Sequence, residues 1–178
     1  MSLTAKRDIN AELIEIIWNR NCAEVKDLRK PNIRSGINMV KKNNIGIIFI
    51  DYSETYYMNV AKTALPESRA GKFVQIRKKA TEYLVFSPKE FAPYHADLVG
   101  RFCSDKGIKG SYSDEGKRFN IHNTAWAVIG GGRFEMNIAK RYIRLYDNSM
   151  AYGRFDPAGL KEKILSVDEL SGYDVKIE

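Results

Sequence analysis

Three short fragments carry residue types that could act on a phosphoryl group: Tyr94-His95-Ala96-Asp97-Leu98, Gly130-Gly131-Gly132-Arg133 and Ser149-Met150-Ala151-Tyr152-Gly153. The first sets a histidine just after Pro93, a residue without an N–H that fits the opening turn of a helix. The amides of Tyr94, His95 and Ala96 then have no acceptor within the helix. Unpaired first-turn amides and the positive end of a helix dipole bind phosphate. The same field disfavours an imidazolium, so His95 is expected to be neutral and able to take a proton. A base beside a phosphate cradle is the minimum for hydrolysis by water.

The glycine triplet points the same way. Three glycines inside a strand lose backbone entropy and supply no packing, so either something approaches that backbone closely or the strand bulges. Arg133 follows at once, and its planar guanidinium matches phosphate oxygens. Ser149 comes after the turn-formers Asp147-Asn148, and its hydroxyl and the amides of Met150 and Ala151 can complete an anion nest. Each fragment also admits a plain structural role: a packed histidine, a bulge beside a solvated arginine, a connecting turn. Lys72 taken alone is a surface lysine.

The elements that must position these groups follow from periodicity. Apolar positions Ile9, Leu13, Ile16 and Ile17 predict a helix over residues 8–28 with Asp8 as its cap, and Ile33, Ile37 and Val40 predict a second, short one. Residues 45–51 form a near-continuous apolar run and read as a buried strand. A helix over residues 54–64 follows, and residues 64–71 read as an internal boundary. Beyond it come strands at 72–77 and 82–86, a helix over 93–106 ended by Gly107, and a polar hairpin tip over 109–120. Strands at 125–129 and 134–138 flank the glycines, and 142–146 returns. Asp156-Pro157 predicts a helix start, and residues 173–177 a last strand. The expected fold is α+β, a mixed β-sheet packed between helices. Residues 1–65 would form a mostly helical N-terminal extension with one buried strand, and 66–178 the main domain with an insertion near 108–124.

Bulk properties narrow the partners. The 178 residues hold 29 Lys and Arg against 22 Asp and Glu, a net charge of +7 that favours anionic partners. The excess is spread: residues 1–65 hold 10 basic and 7 acidic side chains, residues 66–178 hold 19 and 15. A nucleic-acid-binding arm would be more lopsided. Two distant cysteines, Cys22 and Cys103, read as free buried thiols of a cytoplasmic protein, and no apolar run approaches the length of a membrane span or a secretory signal.

With these fragments in order, roughly residues 70–178 resemble the janus family, which includes phosphohistidine phosphatase. The matching stretches are Lys72-Phe73-Val74-Gln75-Ile76-Arg77 and the three fragments above, with the sixteen-residue step from Arg133 to Ser149 also in agreement. The resemblance implies hydrolysis of phosphohistidine on a phosphorylated protein, or of phospholysine, with no cofactor and no metal. It implies His95 as general base, with direct attack through a transiently phosphorylated ring as the other path. It implies that Tyr94, Ala96, Ser149, Met150 and Ala151 line the phosphate site through the helix start, the Ser149 hydroxyl and loop amides, and that Lys72 and Arg133 add positive charge. The insertion near 108–124 and residues 1–65 depart from that pattern.

Rival readings are weaker. Asp51-Tyr52-Ser53-Glu54-Thr55 resembles the opening motif of haloacid-dehalogenase-type phosphatases, but Ser53 replaces the aspartate that serves as acid and base there. Asp51 and Ser53 read instead as helix caps. His95 and His122 are the only histidines, and neither lies in a metal-binding spacing. A non-catalytic module binding phosphoproteins or nucleic acid is the alternative; Arg77-Lys78-Lys79 and ten tyrosines are its support.

Overall fold

The computed structural model describes residues 46–113 and 115–178. The helices expected over 8–28 and around 33–40, and Cys22, lie outside them. Six strands form one sheet in the order β1-β3-β2-β6-β7-β8, made of β1 (Gly46–Asp51), β2 (Ser68–Lys78), β3 (Thr81–Pro88), β6 (Trp126–Asn137), β7 (Tyr142–Tyr146) and β8 (Asp174–Ile177). The inner pairs are antiparallel; β1 on β3 and β8 on β7 are parallel. A separate hairpin joins β4 (Gly110–Tyr112) to β5 (Phe119–Ile121) within the expected insertion. Mixed α+β architecture is therefore what the chain adopts.

Period-two alternation sorts the strand residues onto two buried faces. Phe73, Phe86 and Phe134 turn to one side, where they meet Leu160 and Ile164 of helix α2 (Leu160–Leu165). Val74, Ile76 and Val85 turn to the other, against Leu98, Val99 and Phe102 of helix α1 (His95–Asp105). Both faces of β2 are buried at Phe73, Val74, Gln75 and Ile76, as a central strand between helices requires. A polar clamp sits on the α2 side: the Glu82 carboxylate accepts from Arg77 at 2.7 Å, Lys163 at 3.0 Å and Gln75 at 3.2 Å. No helix among the described residues is long and apolar enough to cross a membrane.

Several expectations change. The strand over 45–51 lies at the end of the strand order and is partly exposed rather than buried, yet it pairs with β3, so Gly46–Asp51 belong to the same sheet as the strands of 66–178. The stretch read as a boundary contains the start of β2. The helix expected over 54–64 is present but ends earlier and is wound wide, a π-helix over Thr55–Ala61 in which the Lys62 amide reaches back to the Tyr57 carbonyl. Asp51 takes the Ser53 amide at 2.8 Å and the Arg69 guanidinium at 2.8 Å, while the buried Ser53 hydroxyl caps nothing. The two strands expected around the glycines are one twelve-residue strand, because glycine backbone keeps its ladder bonds to β2 and a bulge beside Gln75 absorbs the irregularity. Asp156 does not cap α2. Its carboxylate takes the Ala158 amide in a turn, and the helix begins after Gly159, whose φ of +63° breaks the run.

Candidate phosphate site at the start of helix α1

The helix starts where the proline and histidine predict, with Tyr94 extended (φ −120°, ψ 155°) as the residue before it. Asp97 secures the turn by accepting the Tyr94 amide at 3.0 Å. That bond removes Tyr94 from the expected set of free amides, and its side chain points outward, 62% exposed. The His95 and Ala96 amides have no acceptor among the described residues. Both residues are buried, and buried N–H groups without a partner are rare in folded proteins.

His95 is 8% exposed, and its Nε2 lies 2.9 Å from the Gly132 carbonyl oxygen. A carbonyl can only accept, so Nε2 carries the hydrogen and Nδ1 keeps its lone pair. Burial holds the imidazole below the ordinary histidine range; the Gly132 bond opposes this, and the Lys72 and Arg133 charges reinforce it. The ring is therefore neutral at neutral pH, with one defined acceptor nitrogen.

The glycine triplet is explained position by position. A Cβ on Gly131 would sit 2.7 Å from the Phe73 carbonyl oxygen and 3.0 Å from Cδ2 of His95, so the imidazole lies directly against that backbone. On Gly130 it would meet the Arg154 carbonyl oxygen at 2.2 Å, and on Gly132 the Tyr146 carbonyl oxygen at 2.5 Å. Close approach on three sides, rather than the bulge alone, excludes side chains here.

The Ser149–Gly153 loop returns to the same strand. Gly153 has φ +77°, and its carbonyl accepts both the Ser149 amide at 3.1 Å and the Gly131 amide at 3.2 Å. The Ser149 hydroxyl is buried and takes the Tyr152 amide at 3.2 Å, leaving its own hydrogen to donate elsewhere. The Met150 and Ala151 amides have no acceptor among the described residues, and the Met150 side chain stands fully in solvent. Successive free amides of this kind form an anion nest.

Lys72 and Arg133 face each other across the β2–β6 ladder. Lys72 is half-buried; burial and the neighbouring guanidinium hold its amine below the usual lysine range. Arg133 meets Asp147 at 3.4 Å. Asp147, with φ +68°, is a member of the site that composition marks only as a turn residue. Lys72, Arg133 and Pro93 also line an open groove of about 660 Å³ with Tyr57, Tyr146 and Lys89. Of these last three Tyr57 comes from a distant part of the chain, and no local pattern marks any of them. Cys103 lies on the buried face of α1, outside the candidate site, and burial pushes its thiol up to about 11, away from the thiolate form. His122 lies outside the site, on the hairpin, where its Nε2 is 2.9 Å from the Ser111 hydroxyl.

A model of the Janus/Ocnus family (Ocnus) matches residues 59–170. The chain belongs to the Janus/Ocnus family. The stretch matched to the family holds Lys72, His95, Arg133 and the whole Ser149–Gly153 loop, together with the β4–β5 hairpin. No curated protein matches the chain.

Proposed function

We propose that the protein is a metal-independent phosphohistidine phosphatase acting on phosphorylated proteins. The observation that carries this reading is the pairing of a neutral, buried His95, its Nε2 hydrogen committed to Gly132, with the unpaired amides of His95 and Ala96 at the helix start and of Met150 and Ala151 in a loop that Gly153 ties to Gly131, the backbone against the His95 ring. Those amides, the Ser149 hydroxyl and the cations of Lys72 and Arg133 would hold the phosphoryl oxygens. Water attacks phosphorus opposite the substrate imidazole, and His95 Nδ1 takes the water proton. The phosphorus–nitrogen bond breaks with its electrons moving to nitrogen. A substrate ring protonated on its other nitrogen leaves as neutral imidazole, so the chemistry as written calls for neither a metal nor a thiol. A cytoplasmic setting fits the free, buried Cys103.

A nucleic-acid role has less support. In the Arg77-Lys78-Lys79 run, Arg77 is bonded to Glu82 and Lys78 lies 4.7 Å from the centre of the Trp126 ring. The test is hydrolysis of a phosphohistidine peptide, with a phospholysine peptide in parallel, in excess chelator. His95→Ala should lower turnover by about two to four powers of ten with the fold intact. Equal rates in both proteins reject His95 as base. An inactive wild type that still binds phosphopeptide returns the fold to a binding role, and loss of activity with chelator points to a metal-dependent route.

A further inference from the structure

The β4–β5 hairpin is bonded to both walls of the candidate phosphate site. On the helix side the Tyr112 hydroxyl donates to Asp97 Oδ1 at 3.4 Å, and the other oxygen of that carboxylate takes the Tyr94 amide. On the loop side Arg118 Nη1 donates to the Ala151 carbonyl at 2.8 Å, and the guanidinium carbon lies 5.0 Å from the centre of the Tyr152 ring. The Tyr152 hydroxyl in turn donates to the Phe119 carbonyl at 2.8 Å and accepts the Phe119 amide at 2.9 Å. Helix α1 makes room for this contact. A Cβ on Gly100 would stand 2.9 Å from the Tyr112 hydroxyl and 3.2 Å from the Phe119 ring, so a residue that weakens a helix interior serves to admit the hairpin.

We propose that this hairpin braces the anion-binding loop and that Arg118 is a positioning residue, an inference that rests on the phosphatase reading above. The peptide plane between Ala151 and Tyr152 is rigid. It is held at both ends, its oxygen by Arg118 and its N–H by the Ser149 hydroxyl. Clamping that plane limits the directions open to the free amides of Met150 and Ala151 just before it. The charge on Arg118 strengthens the bond to the carbonyl. Arg118 Nη1 is bonded to the loop backbone, and through that bond it bears on the free amides that would meet the phosphate.

The full-length protein is compared with Arg118→Ala and Arg118→Lys by two readouts: hydrolysis of a phosphohistidine peptide across pH, and titration with inorganic phosphate followed at the Met150 and Ala151 amide resonances. Arg118→Ala should raise KM and weaken inorganic phosphate binding by about tenfold each, the weight of one charge-assisted hydrogen bond. The acid limb of the pH profile, set by His95, should not move. Arg118→Lys should recover part of the loss, because an ammonium can still donate to the carbonyl. An unchanged KM together with unchanged phosphate-induced shifts in Arg118→Ala overturns the brace. If the wild type fails to hydrolyse the peptide but phosphate still titrates the loop in an Arg118-dependent way, the catalytic reading falls and the brace stands. Phosphate that leaves the wild-type loop resonances unmoved overturns both. Should Arg118→Ala not fold, Arg118→Gln, which keeps a donor without the charge, bears the same two readings.

Discussion

Gly131→Ala tests whether the backbone under the histidine sets its position. The added methyl would lie 2.7 Å from the Phe73 carbonyl oxygen and 3.0 Å from His95 Cδ2. The first contact is with the backbone of a central strand, about 0.7 Å short of ordinary van der Waals separation, and cannot relax without disturbing the β2–β6 ladder. The second meets a ring tethered by a 2.9 Å bond to the very next residue, Gly132. The ring must move by several tenths of an ångström, and its bond to Gly132 must lengthen or turn. Overpacking of this kind costs about 1–3 kcal/mol of stability. Displacement of a general base approaching 1 Å lowers turnover about a hundredfold. Urea unfolding gives the first quantity, and phosphohistidine hydrolysis on the still-folded protein gives the second. Nitrogen chemical shifts of the His95 ring report whether Nε2 keeps its hydrogen. A Gly131→Ala protein with wild-type turnover and an unchanged ring tautomer would show that the glycine does not position the base.

Two further outcomes follow from charge. Burial of His95 lowers its pKa, so the acid limb of kcat/KM should fall below the ordinary histidine value of about 6.5. Its neutral form also contributes stability that is complete above that value and lost as pH falls through the depressed folded pKa. An acid limb at or above about 6.5 in the pH–rate profile would contradict the buried, neutral ring. At Glu82, burial alone would raise the carboxyl, but the bonds from Arg77, Lys163 and Gln75 outweigh it and hold the group below its usual range. Its contribution to stability is therefore present above about pH 4.3 and disappears as pH falls through the lower folded value. Glu82→Gln should cost about 3–5 kcal/mol at neutral pH, by leaving the Arg77 and Lys163 charges against a neutral amide, and should flatten the acid limb of stability measured by urea titration.

Legibility in the sequence tracks how local each feature is. The start of α1 is readable because proline, extended residue and histidine act within four positions, and Gly107 ends it at φ +64°. The buried faces of β2 and β3 are readable from alternation alone. His95, Arg133 and Ser149 announce themselves by residue type in unusual settings. The loss of Tyr94 from the free amides depends on Asp97, three residues on, choosing the backbone over solvent. The single β6 and the late start of α2 turn on how a glycine run and one left-handed glycine resolve against neighbouring strands, which periodicity does not encode. Arg118 and Tyr57 are brought to the site region only by tertiary contact, over separations of tens of residues, while Asp147 and Lys89 lie close to site residues in sequence but carry no local pattern that assigns them there.

One oxygen, the carbonyl of Gly153, joins the loop to the strand beneath the imidazole. Both of its bonds run to main-chain N–H groups, so the loop is fastened to that strand by backbone alone at this point. The Met150 side chain, released from that duty and wholly in solvent, is left free to vary with whatever molecular surface meets it.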